Sequence, residues 1–303
     1  MTVAFPRLRV GVPLRHEALS VFPIFTDSVG SVGYRLSDEA LADASLLVEE
    51  VSEGGSVPNL LVENKGGQKV LFLEGEELVG AKQNRILNTS VLIAAHTKLK
   101  IPVSCVEQGR WQFKSRYFGS KGSHSPSKVR RALKASVSRS VKEDRGHTSD
   151  QGEVWREVAS LNAAHGVTSD TSAMSDTFDS CQDRIASFQL NLKYVDGAAG
   201  VAVAIGRRVV SVDLFDKPAT CEKVWDRLLS GIVLDALEAG QVEDAASVAQ
   251  VEELLQSTGA LSWTQTATVG DGEEYRAESR RGDHVSALVF EGAIVHGSLV
   301  AAM

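Results

Sequence analysis

Between residues 7 and 106 the apolar residues come in short runs separated by turn-forming clusters, and this pattern limits the fold more than any other feature. The runs fall at 7–12, 19–25 (LSVFPIF), 46–51, 60–63, 70–73, 78–87, 90–93 and 99–106. β-Branched and aromatic residues in pieces of this length read as strands. Many such strands at close spacing favour a sandwich or jelly-roll-like barrel over a parallel α/β sheet. NKGGQ (64–68) between two of the runs reads as a hairpin turn. SDEALADA (37–44) instead predicts a short helix, with Ser37 as its N-cap and acids in its first turn.

An exposed connection separates this half from the rest, and beyond Pro126 the chain changes character. KSRYFGSKGSHSPS (114–127) reads as an exposed, mobile connection, and 128–145 as a basic helix. Val154, Trp155, Val158 and Leu161 recur at helical spacing within 151–164. A polar loop at 168–177 leads into a further helix over about 176–193. Strands at 201–205 and 209–214 flank Gly206-Arg207-Arg208 as a hairpin. Pro218 suits a first helical turn, and Trp225, Leu228, Leu229, Ile232, Ala236 and Leu237 then form an amphipathic stripe that Gly240 ends. A helix over 243–256 and strands at 261–268, 275–279, 285–290 and 294–300 complete the chain; the alternation of these strands suggests an antiparallel sheet with one wet face. The expected class is α+β, with an N-terminal β-rich half and C-terminal helices packed on an antiparallel sheet. The expected blocks are 1–113, a basic connection and helix at 114–150, and an α+β domain at 151–303.

Charge narrows the partners. The chain carries −7 overall, yet 110–145 holds eleven Lys or Arg against two acids, leaving the remainder at −16. A net acidic protein is a poor nucleic-acid binder. Its basic stretch suits attraction of a pyrophosphate-like anion, but a solvated linker and helix face explains it more simply. MTVAFPRLRVG has no apolar h-region, no apolar stretch reaches a membrane span, and three scattered cysteines suit a reducing compartment. A cytoplasmic protein without membrane contact is expected. His16 and His96 are the histidines before Trp111, so a three-histidine metal site is unsupported; no cofactor is identifiable from the residues.

The chemistry concentrates in LFLEGEELVGAKQNRILN (71–88) and IPVSCVEQGRW (101–111), read here as two halves of one site. Glu76, Lys82 and Arg85 offer a carboxylate, an ammonium and a forked guanidinium, which suit a polar anionic ligand. Lys82, Arg85 and Arg110 are candidate phosphate ligands. Glu77, Gln83, Asn84 and Asn88 supply further polar contacts, and Trp111 a stacking surface. Glu76 and Glu107 are the candidate acid and base, because burial and a neighbouring arginine push a carboxylate pKa in opposite directions. Cys105 is the alternative nucleophile, although a cysteine inside PVSCV is more often a small buried hydrophobe. The same residues also describe a buried ion-pair set that fixes register. Gly75, Gly80 and Lys82 imitate a phosphate-cradling loop, but the lysine comes one position late and Gln83 follows it. Gly197 and Gly200 lack the third glycine of a dinucleotide loop.

The two runs, with YRLSDEAL (34–41) and more loosely 209–237, resemble the ARG and rhodanese-phosphatase-superfamily-associated protein domain. The motif positions here are Gly75, Glu76, Gly80, Lys82, Gln83, Asn84, Arg85, Cys105, Glu107, Arg110 and Trp111. The resemblance implies a place in NAD or ADP-ribose metabolism and a protein partner in ADP-ribose processing, without supplying a reaction. Two functions follow as expectations. One is a protein that binds an ADP-ribose- or nucleotide-like metabolite, extending to its hydrolysis or transfer. The other is a non-catalytic interaction module with a structural ion-pair motif and a basic partner-binding segment.

Overall fold

The short runs fold as strands, and their pairing partners lie far along the chain. The computed structural model describes Val3 and residues 5–302; residues 1, 2 and 4 of the segment read for a leader lie outside it, as does residue 303 of the last expected block. The chain opens with β1 (Leu8–Val10), β2 (Leu14–His16) and β3 (Leu19–Thr26). It continues through β4 (Tyr34–Leu36), α1 (Ser37–Ala42), β5 (Leu46–Glu50), β6 (Asn59–Asn64), β7 (Lys69–Phe72), β8 (Glu77–Gly80), β9 (Arg85–Leu87), β10 (Val91–Ile93), β11 (Thr97–Cys105) and β12 (Phe118–Gly119). Four helices follow: α2 (Ser127–Lys142), α3 (Gln151–Ala164), α4 (Met174–Ser180) and α5 (Gln182–Asn191). Then come β13 (Gly200–Ile205), β14 (Arg208–Phe215), α6 (Pro218–Ala239), α7 (Val248–Gly259), β15 (Thr264–Thr266), β16 (Glu273–Glu278), β17 (His284–Phe290) and β18 (Ala293–Val300).

The class is α+β, and the backbone packs as two compact units. The first comprises residues 1–32, 182–266 and 272–303; the second comprises 33–181 and 267–271. The units therefore interleave along the chain, whereas the sequence reading divides it into consecutive blocks.

The first unit is one nine-stranded antiparallel sheet in the order β1-β3-β13-β14-β18-β17-β16-β15, with β2 also on β3. Its apolar residues alternate, so one face collects Val212, Leu299 and Val285 in one cross-strand row and Leu214, Gly297 and Ala287 in the next. The expected β13–β14 hairpin forms. Pro218 occupies the first turn of α6, Gly240 ends that helix at φ +69°, and the buried stripe of α6 packs on β13 and β14. The predicted 243–256 helix starts later, where Ser247 and Gln250 form a reciprocal cap. Asp213 on β14 pairs with His296 at 3.2 Å, and that imidazole stacks on Phe215. No helix among the described residues is long and apolar enough to cross a membrane.

The second unit holds two sheets, β10-β7-β4 and β12-β8-β9-β11-β6-β5, around an apolar core that includes Val48, Val62, Phe72, Leu78, Leu87 and Val103. Several expectations change here. NKGGQ is not a hairpin: β6 pairs with β5 and β11, while β7 pairs with β10 and β4, so the turn crosses between sheets. Asn64 fixes that crossover, its amide donating to Gln68 O and Ala94 O while its carbonyl accepts from Gly66 N. Ser37 is not the N-cap of α1, a position held by Leu36; it lies inside the first turn with its hydroxyl turned to Glu76. The predicted helix over 176–193 breaks at Cys181 into α4 and α5.

The largest correction concerns the basic connection. Lys114 and Arg116 are exposed as expected, but Ser123–Ser127 are buried. Within α2 both Arg130 and Lys134 are fully enclosed. Four residues apart, they share one helix face, and Lys134 Nζ meets Glu74 Oε1 at 2.8 Å.

Candidate functional site

Strand pairing brings the two motif runs together. β9 lies between β8 and β11, with Leu78 opposite Arg85 and Arg85 opposite Cys105. The turn 81–84 and the residues following Cys105 therefore emerge at the same end of the sheet. The Val106 amide donates to Asn84 O at 3.1 Å and locks them there. Gly80 must be glycine: its φ is +126°, and a Cβ would stand 2.7 Å from Ser115 Oγ and 2.9 Å from Tyr117 O.

Glu107 and Arg110 form the centre of the cluster. The guanidinium edge of Arg110 grips the carboxylate through Nε (2.7 Å) and Nη2 (2.6 Å). Its other donors reach Ala81 O, Gln112 O, Gly80 O and Asn84 Oδ1. Glu107 also accepts from the Asn84 amide (3.0 Å) and Thr171 Oγ1 (3.0 Å), and Gln83 Nε2 donates to its backbone carbonyl. Burial alone would raise the Glu107 pKa, but the hydrogen bonds and charge of Arg110, with the Asn84 amide, lower it below the usual range. Glu107 is an ionised brace here and a poor proton donor.

Arg85 is held differently. Its side chain is fully enclosed and Nη1 donates to Gln83 Oε1 at 2.9 Å. Nε and Nη2 have no hydrogen-bond partner; the nearest opposite charge is Glu50 Oε1, 3.8 Å from Nη2. Burial lowers the Arg85 pKa from its ordinary value. The guanidinium carbon lies 5.9 Å from the Trp111 ring centre. Lys82 sits at the rim with its ammonium 5.2 Å from Trp111 and 5.0 Å from Phe113, donating to Glu53 O and Gly54 O. Both rings face solvent, at 45% and 55% exposure. Gly55 lies close beneath Trp111, where a Cβ would come within 3.1 Å of the ring.

Cys105 is wholly buried in β11, and burial pushes its thiol pKa up while Arg85 opposes that shift. The thiol stays protonated at neutral pH. Asn88 accepts from the Ser104 hydroxyl (2.6 Å) and donates to His147 O (2.7 Å).

Glu76 and Glu77 belong to a second buried group with Glu74, and all three carboxylates are fully enclosed. Glu76 accepts from Ser37 Oγ and from the Leu73 amide at 3.0 Å. Glu77 accepts from Ser123 Oγ, while its Oε1 has no hydrogen-bond partner. Burial raises the Glu77 pKa to about 7 against the Ser123 hydrogen bond. Gly75, at φ +81°, lets the chain pass under His124 and Arg130, where a Cβ would stand 3.0 and 3.2 Å away.

The sequence reading missed Glu50, Glu74, Ser123, His124, Arg130, Lys134 and Thr171. Glu74 lies within the 71–88 run, and the i, i+4 pair Arg130/Lys134 lies beside the apolar stripe Val129, Leu133, Val137; those positions were the available signal. Among the described residues no group of three or more His, Cys, Asp or Glu is placed to hold a metal ion.

The family model of the ARG and Rhodanese-Phosphatase-superfamily-associated Protein domain matches residues 7–300. No curated protein and no solved structure matches the chain.

Proposed function

Since the chain belongs to the ARG and Rhodanese-Phosphatase-superfamily-associated Protein domain family, we propose that its second unit binds a small anionic metabolite of the ADP-ribose or nucleotide class. The observation that carries this reading is the guanidinium of Arg85, enclosed with Nε and Nη2 unbonded. A buried donor without an acceptor is costly, more so when charged. In Arg110 the same Nε/Nη2 edge holds a carboxylate, and that edge matches a phosphate oxygen pair equally well. Lys82 adds a second positive charge, and the open faces of Trp111 and Phe113 suit stacking of a base. Entry to Arg85 requires movement of Trp111 and the 53–55 turn that pack over Lys82.

Within this reading Glu107, Arg110, Asn84 and Gln83 form the frame, and Arg85, Lys82 and Trp111 touch the ligand. Binding is favoured over hydrolysis or transfer, because Glu107 is committed to Arg110 and the Cys105 thiol is protonated. We place the protein in the cytoplasm, where three free cysteines stay reduced.

Isothermal titration with ADP-ribose, ADP and inorganic phosphate tests the proposal. ADP-ribose and ADP are expected to bind more tightly than phosphate. Arg85→Lys is expected to weaken both at least tenfold, and Trp111→Ala to weaken them roughly 5- to 150-fold, the range of one base–aromatic stack. Absence of binding by all three would end the metabolite reading. It would favour a non-catalytic interaction module, to which the saturated Glu107–Arg110 frame and the exposed Trp111 and Phe113 rings are also suited.

A further inference from the structure

The first unit contains a cavity that neither the motif runs nor the family match accounts for. It has a volume of about 290 Å³ and lies between α7, β1 and the inner face of β14, β18 and β17. The cross-strand rows explain why it exists. Val212, Leu299 and Val285 form one apolar row, whereas the next runs Leu214, Gly297, Ala287. Gly297, which lines the cavity between Leu214 and Leu299, contributes no side chain to that part of the sheet face. Leu255 of α7 and Trp263 close the opposite side.

Trp263 adds the second observation. Its side chain lines the cavity and is only 4% exposed, yet its indole Nε1–H has no hydrogen-bond partner. A buried indole usually finds an acceptor, and leaving the donor bare is destabilising. The charge at the rim selects among acceptors. Glu252, exposed on α7, is the charged residue among those lining the cavity, and it disfavours a carboxylate or phosphate.

We infer that this cavity is a binding site for an uncharged, largely apolar small molecule whose single acceptor oxygen, a ketone, ester or amide carbonyl, receives the Trp263 indole hydrogen bond. The volume is about twice the roughly 150 Å³ that accommodates a benzene ring in a dry engineered cavity, so a fused bicyclic ring or a medium-length acyl chain is the size class. The site is chemically opposite to the anionic one proposed for the second unit, and neither proposal depends on the other.

The test is titration calorimetry of the full chain with 2-acetylnaphthalene, 2-ethylnaphthalene and 2-naphthoate. The ketone is expected to bind with one-to-one stoichiometry. The hydrocarbon should bind about fivefold more weakly, the share of one neutral hydrogen bond, and naphthoate should be weaker than the ketone. Trp263→Phe should abolish the preference of ketone over hydrocarbon. Leu255→Phe, which grows into the hollow from a partly buried helix position, should reduce binding of both by tenfold or more. In parallel, with ¹⁵N-labelled tryptophan, the Trp263 indole resonance should move downfield with the ketone and not with the hydrocarbon, a readout available even if Trp263→Phe does not fold. Absence of ketone binding, equal affinity for ketone and hydrocarbon, or an unmoved Trp263 resonance would overturn the inference.

Discussion

Glu77 shows how a single carboxyl reports on its surroundings. It is fully enclosed, accepts one hydrogen bond from Ser123, and has its pKa raised to about 7 from an ordinary 4.5, mainly by burial. A folded-state pKa above the unfolded value means that the unfolded chain releases this proton first as pH rises. The associated stability is therefore fully present below about pH 4.5 and is lost as pH climbs through 7. The shift corresponds to about 3 kcal/mol between pH 4 and 8. Glu77→Gln cannot ionise, so it is expected to gain about that much relative to the wild type across the same range. Urea unfolding of both proteins at pH 4, 6 and 8 measures this, and parallel curves would mean that Glu77 titrates in the fold as it does in the unfolded chain. Other residues of the motif were legible from the sequence because charged side chains around small residues near strand ends have few bland uses. The sequence could not show that Arg110 spends its donors on Glu107 and nearby carbonyls while Nε and Nη2 of Arg85 make no hydrogen bond, with Glu50 only as near as 3.8 Å from Nη2. Both are arginines in polar runs, and the difference lies in which carbonyls the 80–84 turn presents.

At the scale of elements, α2 is where sequence and structure part most clearly. A helix rich in Lys, Arg and Ser reads as solvated, because long cations seldom go fully inside. Here two of them do, since Glu74 of the motif offers Lys134 a charge partner at 2.8 Å. That partnership joins residues sixty positions apart, beyond the reach of any local pattern. Removing one member of a buried pair strands the other, and the loss is about 3–5 kcal/mol. Lys134→Met is expected to destabilise the protein by that amount, while Lys134→Met combined with Glu74→Leu should recover much of it. Urea titrations of the single and double variants decide, and a double variant as unstable as the sum of the singles would show that the two side chains are not coupled. Strands were more readable than their pairings. The ends of β6 and β7 agree with the sequence to within one or two residues, but the hairpin between them fails because Asn64 bonds across to Gln68 and Ala94 and turns the chain into another sheet. The β13–β14 hairpin succeeded because Gly206, at φ +57°, supplies a tight local turn and needs no distant partner.

Across the whole molecule, long-range pairing determines which pieces of chain can stand alone. β3 hydrogen-bonds to β13 along six residues, Leu19–Ile24 against Gly200–Ile205, so the first and last thirds of the chain complete one sheet. The second unit draws nearly all of its elements from 33–181 and borrows only 267–271, where Asp271 pairs with Lys69 and its backbone meets Leu92. Lys69 and Asp271 are each about a third exposed or less, and a partly solvated pair of this kind contributes on the order of 1 kcal/mol at most. A fragment spanning 33–181 is therefore expected to fold by itself, with a cooperative urea transition and dispersed amide resonances. A fragment spanning 1–113 keeps the motif runs but loses α2, and with it Arg130 and Lys134, the latter an ion-pair partner of the buried Glu74. That fragment should lack a cooperative transition, even though it contains every residue assigned here to the anionic site. Circular dichroism and heteronuclear NMR of the two fragments distinguish the outcomes. A folded 1–113 would mean that the enclosed carboxylates of the motif do not need the basic helix, and that the buried charges of α2 serve some end other than holding the site together.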